Sequence, residues 1–231
     1  MAKEKRKNMS GLVYYVIDTE TTGLKADYHE CTEIGIIRCT DRVQLWRQIK
    51  CINPERANFD ALAITKKTMA DLERGFDRDA VVVECNKFFE EDGLTPAHRC
   101  IVAHNAPFDR KFLHALWASQ GLSFPAHLWL DTMALTREYI KKIGLDVECK
   151  TKGLPKPKVN LHAACDLAGI NKISQAHNAK VDSRNTYLLH KNLVDDKKVD
   201  YLPLIKTSVH IVNVSTDSND GEGLDPSLLD F

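Results

Sequence analysis

The sequence predicts an α/β fold, a mixed central sheet of about five strands covered by helices on both faces, and three observations carry the prediction. Short apolar runs at Leu12 to Ile17, Cys100 to Ala103 and Leu128 to Leu130 have the length and character of buried strands. Two further runs, Cys31 to Cys39 and Val43 to Ile52, meet around Thr40-Asp41-Arg42 as the arms of a hairpin do. Stretches of helical period separate the later runs, and hairpin strands followed by alternating strands and helices require a sheet of mixed direction.

Taken in order, the first run ends in Asp18-Thr19-Glu20-Thr21-Thr22-Gly23-Leu24, so a buried strand carries two acids to its edge. After the hairpin, Asp60 to Arg74 and Ala80 to Glu91 read as amphipathic helices. Behind Cys100 to Ala103, Asn105 and Pro107 mark a helix start, Phe108, Phe112, Ala115 and Leu116 recur at helical spacing, and Gly121 is the stop. Asp131 follows the third run and is either a further carboxylate of the site or a helix cap and supporting residue, the latter favoured. Lys141 to Lys158, rich in lysine and holding Pro155 and Pro157, reads as a long loop that either tracks phosphates or is simply solvated. Leu161 to Gly169 is a helix closed by its glycine. Asn178 then caps a last helix with apolar positions at Val181, Leu188 and Leu193.

Chemistry is concentrated in three places. Asp18 and Glu20 lie one pleat repeat apart on the same side of their strand, where two carboxylates repel unless a cation sits between them. Oxygen ligands of this kind suit magnesium or manganese; the alternative is a pair of acids facing water. Asp109 falls in the first turn of its helix, a position the helix dipole favours with or without a function. His177 and Asp182, five apart, would leave a continuous helix on different faces. A His177 placed just before the cap instead leans over a site that Asp182 enters from the first turn. An imidazole there, with an ordinary pKa of about 6.5, is suited to moving protons near neutrality. Glu33 shares a face with Cys31 and Gly35 and is either a strand-end acid or a neighbour of the site, the former being favoured.

DTETTGL, NAPFD and HNAKVD, in this order, resemble the motifs of the DnaQ-like exonucleases of the DEDDh group, which are built on a ribonuclease-H-like fold. The resemblance spans residues 11 to 195. It implies that Asp18, Glu20, Asp109 and Asp182 bind two magnesium ions, for which manganese substitutes, and that His177 is the general base. It implies hydrolysis from a free 3′ end with release of nucleoside 5′-monophosphates. It also places Thr21, Gly23 and Leu24 near the terminal nucleotide and Phe108 under its base, Phe108 being equally a core position. His104 and Asn105 either touch substrate or serve the helix start, the latter favoured. The substrate expected is a single-stranded or mispaired DNA 3′ end, with an exoribonuclease or oligoribonuclease as the first alternative and a non-catalytic scaffold of a replication complex as the second.

Within 231 residues, 32 basic and 32 acidic side chains give no net field toward nucleic acid. A basic tail at residues 1–10, an exonuclease domain at 11–212 and an acidic, disordered tail at 213–231 are expected. The apolar tip Leu228-Leu229-Asp230-Phe231 is loosely similar to docking peptides of replication proteins. That would join the chain to a polymerase, a sliding clamp or a single-strand-binding protein; an inert tail is the alternative. Seven cysteines lack zinc spacing, and Cys31, Cys39, Cys85, Cys100 and Cys165 read as buried free thiols of a reducing compartment. With no membrane-crossing stretch and no signal-peptide core, a cytoplasmic protein is expected.

Overall fold

In the computed structural model, which describes residues 11–173 and 177–208, the first apolar run becomes the central strand β1 (Val13–Thr21). Tyr15 and Ile17 enter the core on one face of the sheet and Val16 the core on the other, as a period of two demands where both faces are covered. β1 pairs antiparallel with β2 (Cys31–Arg38), and β2 with β3 (Gln44–Gln48); Arg42, at φ 64°, turns the hairpin.

The expected helix over Asp60 to Arg74 is two short ones, α1 (Phe59–Thr65) and α2 (Met69–Leu72). Lys66 ends the first at φ 57°, and a capping box between Thr68 and Asp71 starts the second. α3 (Arg78–Glu90) leads to β4 (Arg99–Ala103), parallel to β1, and then to α4 (Ala106–Ala118). β5 (Leu128–Asp131) lies parallel to β4 and is followed by α5 (Thr132–Lys142). Lys141 to Lys158 is not the uninterrupted loop expected: its first part holds the end of α5 and α6 (Leu145–Thr151). α7 (Leu161–Ala168) ends at Gly169, φ 74°, as read from the sequence. α8 (Ala179–Lys191) runs into a π-helical turn at Asn192–Asp196. Leu189 and Leu193, rather than Leu188, are its fully buried leucines.

A two-residue strand, β6 (Lys206–Thr207), adds antiparallel to β5, so the sheet has six strands in the order β3-β2-β1-β4-β5-β6. Tyr15, Phe89, Trp117 and Phe124 dominate the core beneath α3 and α4, with Tyr15 and Phe89 ring centres 4.8 Å apart. The Trp117 indole N–H donates to Asn86 Oδ1 at 2.8 Å, so this buried ring has no unmet donor. Val16, Cys100, Val102, Leu130, Leu135, Cys165 and Leu189 form the second core, beneath α5, α7 and α8. Cys31, Cys85, Cys100 and Cys165 are buried as expected, Cys39 is half-buried, and all seven cysteines are free. Among the described residues no helix is long and apolar enough to cross a membrane. Both expected tails, residues 1–10 and 213–231, lie outside the described residues.

One glycine sets how close α8 lies to the sheet. A Cβ on Gly35 would stand 2.3 Å from the Ala179 carbonyl oxygen and 2.9 Å from Ser183 Oγ. Gly35 pairs with Asp18 across β1, so the helix start is seated directly against the acidic end of the sheet. Gly35→Ala should push the start of α8 outward and destabilise the protein by about 1–3 kcal/mol, the usual cost of overpacking. Thermal melts and 3′-end shortening should fall together; an unchanged melting temperature would show that the contact has slack.

Candidate active site

Val16, Asp18 and Glu20 occupy one face of β1, and Val16 shares its core with Leu189 of α8. The face that carries the two acids is therefore the one α8 covers, and α8 contributes Asp182 from its first turn. Ligand oxygens of Asp18, Glu20 and Asp182 all lie within 4.8 Å of one another. Asn178 caps the helix, its Oδ1 accepting from Val181 N at 3.3 Å. His177 immediately precedes the cap at φ 61°, and its backbone N–H donates to Asp182 Oδ2 at 2.8 Å. This left-handed turn brings the exposed His177 into the lining of the same cleft as Asp18, Glu20 and Asp182. The residue pair that a continuous helix would split is thus reunited by one backbone turn.

Asp109 is buried in the first turn of α4, and its Oδ1 accepts from both Thr19 N (3.0 Å) and Thr19 Oγ1 (2.8 Å). It is not one of the three clustered ligands, but its charge is the strongest acting on Asp18. Burial, then Asp109, Glu20 and Asp182, hold the Asp18 carboxyl well above the usual range. Burial and then Glu33 raise Glu20 to about 8, with Lys67 opposing. Burial raises Asp109 to about 7 against the Thr19 bonds, and Asp182 is raised by burial against its bond from His177. Four crowded carboxyls that resist ionisation are what a bound cation would relieve. Asp182 Oδ1 is buried and has no hydrogen-bond partner among the described residues, so one ligand atom is open to it. The donor set is all oxygen and fits a hard divalent ion.

The expected substrate residues are placed less uniformly. Thr21 Oγ1 donates to the Gly23 carbonyl at 2.7 Å, and a Cβ on Gly23 would stand 2.3 Å from the His29 ring, so the turn after β1 is tightly closed. Leu24 projects from that turn, 75% exposed. Phe108 is half-buried with its ring centre 5.0 Å from that of Phe112, in keeping with its second role as a core position. Of these residues only His104 lines the cleft with the carboxylates, and both its ring nitrogens are engaged at 2.9 Å, with Thr132 Oγ1 and the Val159 carbonyl. Asn105 occupies the cap position of α4 but makes no side-chain cap bond. At φ 68° it supplies a left-handed turn, and its backbone N–H donates to Asp131 Oδ1 at 2.9 Å. Asp131 is the cap expected of it, accepting from Met133 N at 2.9 Å.

One feature reverses the alternative favoured from the sequence, and another was not expected from it. Glu33 is a neighbour of the site and not merely a strand-end acid: it sits opposite Glu20 across the β1–β2 ladder and is buried. Its Oε1 pairs with Lys67 Nζ at 2.5 Å. Its Oε2 accepts from Trp46 Nε1 (3.3 Å), Asn178 Nδ2 (3.3 Å) and Ala179 N (3.2 Å), so it ties the start of α8 to the sheet. An acid inside an otherwise apolar strand was the signal. The other feature is a wall of the cleft made by Asn160, Leu161 and His162 at the start of α7.

A family model described as Exonuclease matches residues 15–190. The DNA polymerase III subunit epsilon of Rickettsia typhi is 31% identical over 165 residues, covering 68% of this chain and 69% of that protein. A PolC-type DNA polymerase III of Thermotoga petrophila is 29% identical over 187 residues, 72% of this chain but only 13% of the polymerase. Among solved structures, E. coli Exonuclease I in complex with a dT13 oligonucleotide superimposes with a TM-score of 0.61 at 16% identity, over 81% of this chain and 42% of that one. Cell-death related nuclease 4 does so with a TM-score of 0.62 at 12% identity, over 85% and 66%. The chain thus spans a small part of the PolC-type polymerase and less than half of Exonuclease I, and the likeness to the solved structures is one of fold.

Proposed function

This chain belongs to the DnaQ-like 3′-to-5′ exonuclease family, and from that premise we propose that it removes nucleotides singly from single-stranded or mispaired DNA 3′ ends, using two magnesium ions. The observation that carries the reading is the convergence of Asp18, Glu20 and Asp182 within 4.8 Å, with His177 on the same cleft. Cations bound there would polarise the scissile phosphate, neutralise charge that develops on it and acidify a water molecule. Asp18, Glu20 and Asp182 would hold them. Asp109 joins the set from behind β1, where its bonds to Thr19 fix the strand end that carries Asp18 and Glu20.

His177 accepts a proton from the attacking water. The water oxygen bonds to phosphorus as the bond from phosphorus to the 3′ oxygen breaks, and that oxygen takes up a proton from solvent, leaving a shortened chain with a free 3′ hydroxyl and one nucleoside 5′-monophosphate. The exposed Leu24 and the half-buried Phe108 supply apolar surface for the terminal base, which binds any sequence by stacking. DNA is favoured because the relatives include subunits named for DNA polymerase III and the fold is shared with a nuclease seen on oligo-dT. A replicative polymerase, sliding clamp or single-strand-binding protein is the partner proposed for residues 213–231, in a cytoplasmic setting.

The test is incubation with 5′-labelled single-stranded DNA and RNA of matched sequence in magnesium, beside EDTA and His177→Ala controls. Stepwise shortening of DNA, lost with EDTA and strongly slowed in His177→Ala, is the expected result. A preference for RNA would move the assignment to RNA trimming, and no shortening of either would remove it.

A further inference from the structure

His162, in the first turn of α7, has no part in the three acidic motifs, yet it lines the same cleft as Asp18, Glu20, His177 and Asp182. Its position is fixed from two sides. Asn160 Oδ1 accepts from Ala163 N at 2.9 Å and so caps the helix. His104 Nε2 lies 2.9 Å from the Val159 carbonyl, and His104 Nδ1 the same distance from Thr132 Oγ1. The segment entering α7 is thereby tied to the β4–α4 turn and to α5. The backbone that carries His162 is therefore held in place and is not part of a free loop.

Among the described residues, two buried polar atoms of the cleft lining have no hydrogen-bond partner: Asp182 Oδ1 and His162 Nε2. A buried polar atom left unmet is disfavoured, and folds retain it where a bound species supplies the partner. The two atoms differ in kind. Asp182 Oδ1 is an anionic acceptor and calls for a cation, whereas an imidazole nitrogen carrying its hydrogen is a donor. A phosphodiester held by cations needs both, since its non-bridging oxygens face metal on one side and accept hydrogen bonds on the other. The ring lines the cleft together with Asp182 and His177.

We propose that His162 is a substrate-contacting residue whose Nε2–H donates to a non-bridging oxygen of the terminal phosphodiester. The inference rests on the exonuclease reading. It gives the cleft two imidazoles with separate tasks: His177 takes the proton of water, and His162 holds the phosphate.

The test compares His162→Gln, which keeps a donor, with His162→Leu, which removes it, on DNA whose terminal linkage is either a phosphodiester or one of the two phosphorothioate diastereomers. His162→Leu should lower kcat/KM about 10²-fold, in the range found for removing one such donor, with His162→Gln recovering part of the loss. Wild-type enzyme should discriminate between the diastereomers, and His162→Leu should lose much of that discrimination, a readout that mere loosening of α7 would not move. Wild-type rates in His162→Leu would overturn the inference. So would equal losses in both variants with the diastereomer preference intact. Either result leaves the exonuclease reading standing if wild-type protein and the EDTA control behave as expected, whereas inactive wild-type protein removes both.

Discussion

Asp18→Ala should leave no measurable shortening of DNA, whereas His177→Ala should leave it slowed by about 10²–10⁴-fold, the usual reach of general-base catalysis. The two losses differ because the residues do different things. Asp18 stands in the ligand cluster, so its removal dissolves the site that binds cations and with it the charge stabilisation on which the rest of the chemistry depends. His177 touches the cluster only through its backbone N–H to Asp182, and that bond survives any side-chain change. Magnesium should therefore raise the melting temperature of His177→Ala as it does the wild type, but not that of Asp18→Ala. One complication is conformational. His177 sits at φ 61°, where alanine is strained and asparagine is comparatively well tolerated. His177→Asn separates the effects: it lacks the base but keeps the turn, so it should be as slow as His177→Ala and more stable. A His177→Asn enzyme with wild-type turnover would exclude the imidazole from proton transfer.

What the sequence made legible follows from how local each signal was. β1 and β4 announced themselves because strands buried on both faces read as unbroken apolar runs. The acids at their ends, and at the starts of α4 and α8, stood where strand alternation and helix caps alone fix direction. The turn at His177 was readable for the same reason, since Asn178 marks the cap and the residue before it must leave the helix. For Glu33 the sequence left two roles open and could not choose correctly between them, because its importance comes from α8 landing on β2, a contact 146 residues away along the chain. α6 was missed inside a lysine-rich stretch because it buries no residue and so leaves no apolar stripe to read. β6 is two exposed residues whose strand character comes only from pairing with β5. His162 carried no signal at all. A histidine in the first turn of a short helix is ordinary until the fold sets it in one cleft with three carboxylates.

That crowding has a consequence for stability, and it sets the second large effect. An acid whose folded pKa exceeds its unfolded value binds more protons in the folded state between those two values, so stability falls as pH rises through that window. Glu20, raised to about 8, and Asp109, raised to about 7, both act in this direction. Buried His190, pushed down to about 4, and His104, lowered by burial, act in the opposite sense, gaining stability as pH climbs toward their unfolded value of about 6.5. Glu30 and Asp92, both lowered, contribute stability that is already complete above about pH 4.5. The window from about pH 6.5 to 8 is therefore governed by the acidic cluster. There the metal-free protein should lose on the order of 2 kcal/mol, or about 4–8 °C in melting temperature for a domain of this size. Magnesium should offset the loss, and its stabilising effect should grow with pH because the cation competes with protons for the same oxygens. Glu20→Gln should melt higher than wild type at pH 8 without metal, lose most of the magnesium-dependent rise, and shorten no DNA. A metal-free melting temperature that stays level from pH 6.5 to 8, or a Glu20→Gln protein that melts lower than wild type, would mean that the carboxylates are better solvated than their packing implies. The cluster would then be an ordinary acidic surface and not one held charged by its cations.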